Sequence, residues 1–391
     1  MAKRIIFQSE QPKVAAGNNF TTFVSGDVVH GVQTLGMNGT VPITTLYELG
    51  QAAPYEQFEE VSDFNITMDK VIDGYPLIWH KATYDATTPD LLGRSEARCH
   101  IGVSLFADTK QYSSGAAEFG CWMSGFYPNN LTYTIPVQGP CTESVSFVGN
   151  DRKWYSQSYR AAEAGTINIL SGFFTGSAGF SIPDSPLAAS GVMKREDVLF
   201  DYTSSYATDA NGLPVHASGT TLPRNIPGLD ASGRPINLGT ASKCEYNVVL
   251  QSISFTASLT RNDIFQLGCK FPYFRSLNPT VDVNTSIEVL ATSGDFVEAL
   301  QNGLYSNGDN TRNESIRLAL RDGTRISTGT KNRMTGFSVG GGGTDGSNMT
   351  VTYTYNTKNV LTVLHPADPK FGQYLTGFSL NGGTGSGHYY N

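Results

Sequence analysis

The sequence predicts a mainly β protein that consists of two copies of one domain. Charged residues make up only 16% of the 391 residues, whereas glycine (42) and tyrosine (19) are abundant. This composition favours β structure with many turns over a helical bundle. Apolar and polar residues alternate along two long stretches, and these two stretches also resemble each other. The expected architecture is therefore two duplicated β-sandwich or barrel domains with long hairpins, each large enough to fold alone.

The duplication is clearest in two ten-residue segments, LYELGQAAPY at residues 46–55 and IFQLGCKFPY at residues 264–273. Both contain Leu-Gly and Pro-Tyr at the same spacing, and every match has an offset of 218 residues. A glycine at the repeated position suits a turn that disfavours a Cβ atom. The repeated turn motif consists of Leu49, Gly50, Pro54 and Tyr55 in the first copy and Leu267, Gly268, Pro272 and Tyr273 in the second.

Further matches follow in the same order along both copies. Upstream of the turn motif, both stretches share one apolar alternation, with Leu35, Met37, Val41 and Ile43 in the first copy and Ile253, Phe255, Ala257 and Leu259 in the second. Such period-2 alternation is typical of a strand with one face on a core. Downstream, residues 64–68 match 283–287, 101–109 match 316–324, 123–126 match 334–337, and 144–147 match 350–353. Collinear matches with small changes of offset indicate a duplicated domain, because insertions collect in loops.

These matches predict five regions. They are an N-terminal arm (residues 1–27), a first β domain (28–150), a connector or appendage (151–246), a second β domain (247–357) and a C-terminal arm (358–391). Glycine, serine and proline clusters mark the connector, and glycine dominates the end of the C-terminal arm. We expect that arm to become ordered against a neighbouring subunit.

No chemical signature points to an enzyme. The six histidines are far apart in sequence, and no pair has the i, i+4 spacing of a metal-binding helix. The five cysteines include no CxxC pair, and no GxSxG motif occurs. The sequence therefore predicts no catalytic residues, no cofactor site and no metal site.

Charge and hydropathy limit the partners. A formal net charge of −7 argues against binding nucleic acid by neutralising phosphates. The N-terminus lacks the apolar core of a signal peptide, and no apolar run is long enough to span a bilayer, so we expect assembly in a cytoplasm without a membrane anchor. Residues 48–73 are strongly acidic, whereas Lys270 and Arg275 occupy the places of Ala52 and Gln57. The two copies could therefore complement each other in charge.

Several segments resemble the tail tube proteins of long-tailed bacteriophages. The longest begins GVQTLGMNGTVPITTLYELGQAAPY at Gly31, and the others are PCTESVSFVGN, KREDVLFDY and ISTGTKNRMTGFSVGGGG. The resemblance implies a structural protein of the virion tail, whose hairpins join those of its neighbours in a barrel around a channel for DNA ejection. Its partners would be further copies of itself and other tail proteins such as a terminator, a tip or a sheath. The simplest members of the family place six single domains in each ring, so a tandem repeat implies a homotrimer that forms a pseudo-hexameric ring.

This interpretation assigns the polar positions of the two alternating strands to the channel, where the genome passes without specific binding. The lumen-facing candidates are Thr34, Asn38, Thr40, Ser252, Ser254, Thr256 and Ser258. Leu35, Met37 and Val41 must then pack against the core of the domain. We also expect acidic side chains to outnumber basic ones on the channel wall, because each phosphate is then repelled.

The sequence is compatible with two alternative functions. A trimeric baseplate or tail-tip hub with tandem tube-like domains would have the same repeat but would occur in few copies. A carbohydrate-binding or glycan-cleaving tail appendage would need an aromatic pocket, with paired carboxylates for cleavage.

Overall fold

The structure is a computed structural model that describes residues 10–17, 23–106, 117–156, 186–188, 191–199, 220–223, 226, 229, 249–278, 280–291, 313–341, 348–368 and 370. It is mainly β, with large antiparallel sheets, as the sequence predicts. Within the described residues no sheet of the single chain closes into a barrel. The end of the predicted C-terminal arm, from residue 371, and most of the predicted connector lie outside the described residues.

The elements are short except for one strand that runs through two sheets. The first half of the chain contains β1 Glu10–Ala16, β2 Val32–Thr40, β3 Ile43–Tyr47, β4 Pro54–Glu59, β5 Asp63–Val71, α1 Ile78–Ala82, α2 Leu91–Ser95, β6 Cys99–Leu105, β7 Phe119–Pro136, β8 Thr142–Gly149 and β9 Lys153–Ser156. The second half contains β10 Leu250–Ser258, β11 Arg261–Ile264, β12 Phe274–Leu277, β13 Asp282–Leu290, β14 Arg317–Ala319, β15 Arg325–Ser327, β16 Arg333–Gly340, β17 Thr350–Lys358 and β18 Thr362–Leu364.

The main sheet consists of one four-strand unit that occurs twice, side by side. Its strand order is β16-β17-β13-β10-β7-β8-β5-β2, and every neighbouring pair is antiparallel. Read from the left, the second copy (β16-β17-β13-β10) is followed by the first copy (β7-β8-β5-β2) in the equivalent order. The two units are thus related by a shift along the sheet, and the join between them is the β10–β7 pairing.

Strand register defines which residues are equivalent. Leu35 pairs with Met68 in the first copy, and Ile253 pairs with Ile287 in the second. These pairs have the offsets of 218 and 219 that the sequence matches give for β2/β10 and β5/β13. The pair in the first copy and the pair in the second copy therefore consist of equivalent residues on both strands.

One sequence match is displaced by two residues. Met68 pairs with Val145, whereas Ile287 pairs with Tyr353, so β8 and β17 are equivalent at an offset of 208. The predicted match of 144–147 with 350–353 has an offset of 206 and is wrong. Alternation with a period of two does not distinguish these alignments, because a slip of two residues keeps every side chain on its own face.

A second match, 123–126 with 334–337, is also wrong. Leu131 pairs with Val145 and Phe337 pairs with Tyr353, which makes Leu131 and Phe337 equivalent at an offset of 206. Met123 lies instead in the other half of β7, where it pairs with Ile101 of β6. The two Met-x-Gly-Phe segments are similar in sequence, but they occupy different layers. In the second copy the counterpart of β7 is divided between β15 and β16.

The second layer is assembled from both ends of each copy. β6 pairs with β1 and with the first half of β7, which also pairs with β9. In the second copy, β15 lies between β14 and β18, and Thr221 pairs with Arg317 of β14. The predicted arms and connector therefore contribute strands, since β1, β9, Thr221 and β18 all lie outside residues 28–150 and 247–357.

The apolar core lies behind the main sheet and is continuous across both copies. Leu35 and Met37 are partly buried against it, as the alternation predicts. Val41 and Ile43 are 52% and 61% exposed, contrary to the alternation. The reason is that β2 ends at Thr40, after which the chain leaves the main sheet and forms the hairpin of β3 and β4.

Candidate assembly surface

One face of the main sheet is polar along its whole width. The seven lumen-facing candidates lie on this face, because the alternate residues point into the core: Leu35 and Met37 in β2 are partly buried there, and Ile253, Phe255 and Ala257 in β10 are fully buried. Hydroxyl and amide side chains continue the same face across the neighbouring strands. Examples are Asn65, Thr67, Asn130, Thr132, Ser144, Ser146, Asn284, Ser286, Thr352 and Thr354. This surface offers many weak hydrogen-bonding groups and few apolar ones.

Carboxylates outnumber basic groups on the polar face. Among the main-sheet residues that the structure describes, its carboxylates are Asp63, Asp69, Asp282 and Glu288, and its basic groups are Lys358 and Arg333. Two of the carboxylates accept hydrogen bonds from the predicted lumen residues: Thr34 donates to Asp69, and Ser252 Oγ donates to Glu288 Oε2 over 3.1 Å. Such contacts hold the acidic side chains against the sheet.

The two outer strands of the main sheet, β2 and β16, each have one partner among the described residues. Phe337 and Val339 of β16 are 43% and 44% exposed. Their equivalents in the first copy, Leu131 and Tyr133, are 0% exposed because β10 lies beside β7. The exposed apolar side chains of β16 are therefore those that a further strand would cover.

The two repeated turn motifs have the same geometry. Gln51 N donates to Glu48 O over 3.1 Å, and Cys269 N donates to Gln266 O over 3.2 Å. Gly50 has φ 93° and Gly268 has φ 88°, which is the positive φ required at the third position of a type II turn.

Both turns present apolar side chains to solvent. Leu49 and Leu267 are fully exposed at the second position of each turn, and Tyr55 and Tyr273 are 66% and 72% exposed. Pro54 begins β4 and Pro272 precedes β12, so each hairpin holds the same leucine and tyrosine at one end.

The second hairpin, β11–β12, lies against the first copy and carries charge complementary to it. Arg275 Nη2 lies 2.7 Å from Asp63 Oδ1 and 3.2 Å from Asp263 Oδ2. The same nitrogen donates to Asn150 Oδ1 over 3.1 Å. Burial raises the pKa of Asp263, and the neighbouring guanidinium opposes that shift. The charge complementarity expected between residues 48–73 and Arg275 is therefore present inside one chain.

A second arginine, in the other strand of the same hairpin, also contacts the first copy. Arg261 Nε donates to Pro128 O over 3.1 Å, and its guanidinium carbon lies 4.7 Å from the centre of the Tyr127 ring. Arg261 also donates to Ser95 O. Burial lowers its pKa to about 10, so the side chain is still protonated at neutral pH. Hydrogen bonds to carbonyl oxygens and the aromatic face compensate for its lost hydration.

Several buried polar side chains hold secondary-structure elements together. Glu143 accepts from Ile78 N over 2.6 Å, Trp79 N over 3.1 Å and Tyr133 Oη over 2.9 Å, and thereby anchors α1 to the sheet. Arg94 of α2 pairs with Asp368 and fixes the segment after β18. Among the described residues, no group of three or more His, Cys, Asp or Glu side chains is arranged to hold a metal ion.

The described thiols are poor nucleophiles where they are buried. Burial raises the pKa of Cys121 and Cys141 to about 12 and raises that of Cys99 further. A thiol reacts as the thiolate, which these values disfavour at neutral pH.

An open cleft of about 160 Å³ lies where the β11–β12 hairpin meets the first copy. Aromatic residues from both the hairpin and the first copy contribute to its lining. The lining consists of Arg98, Ser124, Gly125, Tyr127, Asn150, Asp151, Phe271, Pro272, Tyr273, Phe274 and Arg275. Its single carboxylate, Asp151, accepts a hydrogen bond from Ser124 Oγ over 3.0 Å.

No helix in the described part of the chain is both long enough and apolar enough to cross a bilayer. No protein-family model and no curated protein matches the sequence. Solved structures that are similar include the tube-terminating cap of the anti-feeding prophage (11% identity, 40% of this chain and 93% of that chain, TM-score 0.29). Others are that particle's baseplate (7%, 40% and 98%, TM-score 0.28) and an Hcp protein (10%, 38% and 98%, TM-score 0.21). Similarity at this level does not identify the chain.

Proposed function

We propose that this chain is a non-enzymatic structural subunit of a bacteriophage tail tube, a stack of rings through which the genome is delivered. The observation that supports it most strongly is the strand order of the main sheet. Two equivalent four-strand units lie side by side in the same orientation, and each outer strand of the sheet has a single partner among the described residues. Such a unit adds further copies by repeating the contact that already joins β10 to β7.

A contact that joins one surface to a different surface generates either a closed ring or a helix. The resemblance to tail tube proteins implies a closed ring of six domains. Since each chain supplies two domains, three chains complete the ring as a homotrimer. Ring closure also removes both open sheet edges, which otherwise promote uncontrolled strand pairing.

The polar face of the sheet forms the channel wall in this proposal, and the core faces outward into each domain. Thr34, Asn38 and Thr40, together with the serines and threonine of β10, present small hydroxyl and amide groups to the passing DNA. The excess of carboxylates repels phosphate, so the wall holds no phosphate groups in place. The location is the virion tail, where neighbouring tail proteins contact the ends of the tube.

The exposed turn motifs suit contacts along the tube axis. Leu49 and Leu267, with Tyr55 and Tyr273, form the same apolar group twice per chain, and therefore six times in a trimer. An apolar group that is fully exposed in the isolated subunit and repeated around a ring favours stacking of one ring on the next.

The glycan-cleaving alternative is less well supported, because the lining of the aromatic cleft contains one carboxylate and cleavage of glycosidic bonds requires two. The tail-tip hub has the same domain repeat as the tube and differs from it in polymerisation. Negative-stain electron microscopy of the purified full chain separates these functions. The tube predicts rings that stack into long hollow filaments, the hub predicts discrete trimers, and a monomer without either contradicts both.

A further inference from the structure

Resting on the proposed function, we infer that two copies of this chain close the ring by pairing their outer strands. The register of this pairing is the same as that of the strand pairing that joins the two domains inside one chain. We call the two pairings the outer seam and the inner seam. The inner seam is the pairing of β10 with β7, and the outer seam joins β2 of one copy to β16 of the next. β10 is the equivalent of β2, and β7 is the equivalent of β16. The inner seam therefore serves as a template for the outer one, residue by residue.

The template fixes the strand register. Thr256 pairs with Thr132 in the inner seam, and their hydroxyl oxygens lie 3.4 Å apart on the polar face. Asn38 is equivalent to Thr256 at the offset of 218, and Ser338 is equivalent to Thr132 at the offset of 206. Asn38 of one copy therefore lies opposite Ser338 of the next, with an amide and a hydroxyl able to hydrogen-bond.

The same register covers the exposed apolar edge. Phe255 pairs with Tyr133 in the inner seam, and both are 0% exposed. The equivalent pair in the outer seam is Met37 with Val339. On the next step, Ala257 pairs with Leu131, and the equivalent pair is Gly39 with Phe337.

The hairpin β3–β4 of one copy then lies on the second domain of the next, as β11–β12 lies on the first domain. Leu259 is 0% exposed in the inner seam, whereas its equivalent, Val41, is 52% exposed. Ile43, the equivalent of the half-buried Arg261, is 61% exposed. These side chains are exposed in the isolated chain because the surface that would cover them is the second domain of another copy.

The two seams differ in the source of one positive charge. In the inner seam, Asp63 lies on the domain that receives the β11–β12 hairpin, and Arg275 of that hairpin neutralises it. In the outer seam the equivalent residue of the receiving domain is Asp282, which already pairs with Lys358 of its own chain. Lys358 occupies the place of Asn150, and Gln57 occupies the place of Arg275. The β3–β4 hairpin in the outer seam therefore places the amide of Gln57 near Asp282, whose charge Lys358 already neutralises.

Disulfide crosslinking tests the register. We would prepare the full chain with Cys244→Ser and Cys269→Ser and add Asn38→Cys with Ser338→Cys. Mild oxidation of the assembled protein should link most chains into covalent three-chain rings on a non-reducing gel. The matched control combines Asn38→Cys with Gly340→Cys, two residues away on the same face, where the Cβ atoms are too far apart for a disulfide.

The outcomes separate the register from the function. Rings in the microscope with crosslinks for the control pair, or for neither pair, would overturn the register but leave the tube intact. Loss of all rings in the parent that carries only Cys244→Ser and Cys269→Ser would contradict both proposals. Crosslinking of Asn38→Cys to Ser338→Cys alone supports the outer seam as described.

Salt dependence tests the relocated charge. The double variant Gln57→Arg with Lys358→Asn moves the ion pair across the outer seam, as in the inner one. Its association should weaken roughly two- to fivefold between about 50 mM and about 500 mM NaCl, whereas the parent should change little, because exposed ion pairs are screened. An identical salt response of the two proteins would refute the relocation.

Discussion

Val339→Thr is the sharpest single test of the outer seam. Threonine has nearly the shape of valine and is equally suited to a strand, so the change replaces one methyl group by a hydroxyl. In the isolated chain the side chain is 44% exposed, and the hydroxyl can be hydrated. In the closed ring it takes the position that Tyr133 has in the inner seam, which is 0% exposed.

The structure also indicates the size of the effect. Tyr133 donates its hydroxyl to Glu143 over 2.9 Å, but the residue that pairs with Val339 is Val351, so a hydroxyl at position 339 finds no carboxylate there. A buried hydroxyl without a hydrogen bond costs about 1–3 kcal/mol. Each seam should therefore weaken by roughly 5- to 150-fold.

Sedimentation velocity at a series of protein concentrations measures this loss, and thermal unfolding of the monomer should change by less than about 0.5 kcal/mol. The matched control is Val24→Thr, because Val24 is 55% exposed and lies outside the seam. If Val339→Thr assembles at the concentration of the parent, β16 does not form the interface between chains.

Three further predictions concern the single chain. Gly50→Ala and Gly268→Ala should each destabilise the chain by about 1–2 kcal/mol in thermal unfolding, because φ is 93° and 88° and the new Cβ meets no atom within 4 Å, so only backbone strain acts; no change would mean that the turns relax. Arg275→Gln should cost about 1.5–3 kcal/mol by removing the charged hydrogen bonds to Asp63 and Asp263, whereas Lys270→Gln serves as a control with little effect. Burial lowers the pKa of Lys13 to about 7, below its unfolded value near 10.4, so the unfolded chain binds more protons between these pH values and stability should rise with pH across that window. Lys13→Met should flatten this rise in the free energy of unfolding measured with urea. An unchanged slope would exclude Lys13 as its source.

The strands of the main sheet could be predicted from sequence because their patterning is strict. Leu35 and Met37 in β2, and Ile253, Phe255 and Ala257 in β10, alternate with small polar residues, and a strand with one buried face requires this pattern. The Leu-Gly spacing also predicted two equivalent turns, since a type II turn needs glycine at its third position. The opposite charges of the acidic residues 48–73 and of Arg275 further predict a complementary contact, which the pair of Arg275 and Asp63 forms.

Register and chain path were less predictable. Matches shifted by an even number of residues preserve the faces of a strand, so the sequence did not fix the offset between Val145 and Tyr353. The similar segments at Met123 and Met334 lie in different layers, because β7 is continuous and its counterpart is divided. Pattern alone also placed Val41 in its own domain's core, although the chain leaves the sheet after Thr40. In the proposed ring Val41 contacts the next copy, and a single sequence does not distinguish an apolar residue of the core from one of an interface.

A cryo-electron microscopy map of the assembled protein, at a resolution that separates strands, tests the central claim most directly. We expect rings of three chains in which β2 of each copy continues the sheet of the next through β16, with the eight main-sheet strands of every chain forming one closed wall and the threonines and serines facing the bore. A ring of six chains, a wall that leaves β2 and β16 unpaired, or an apolar bore with the polar face turned outward would contradict it.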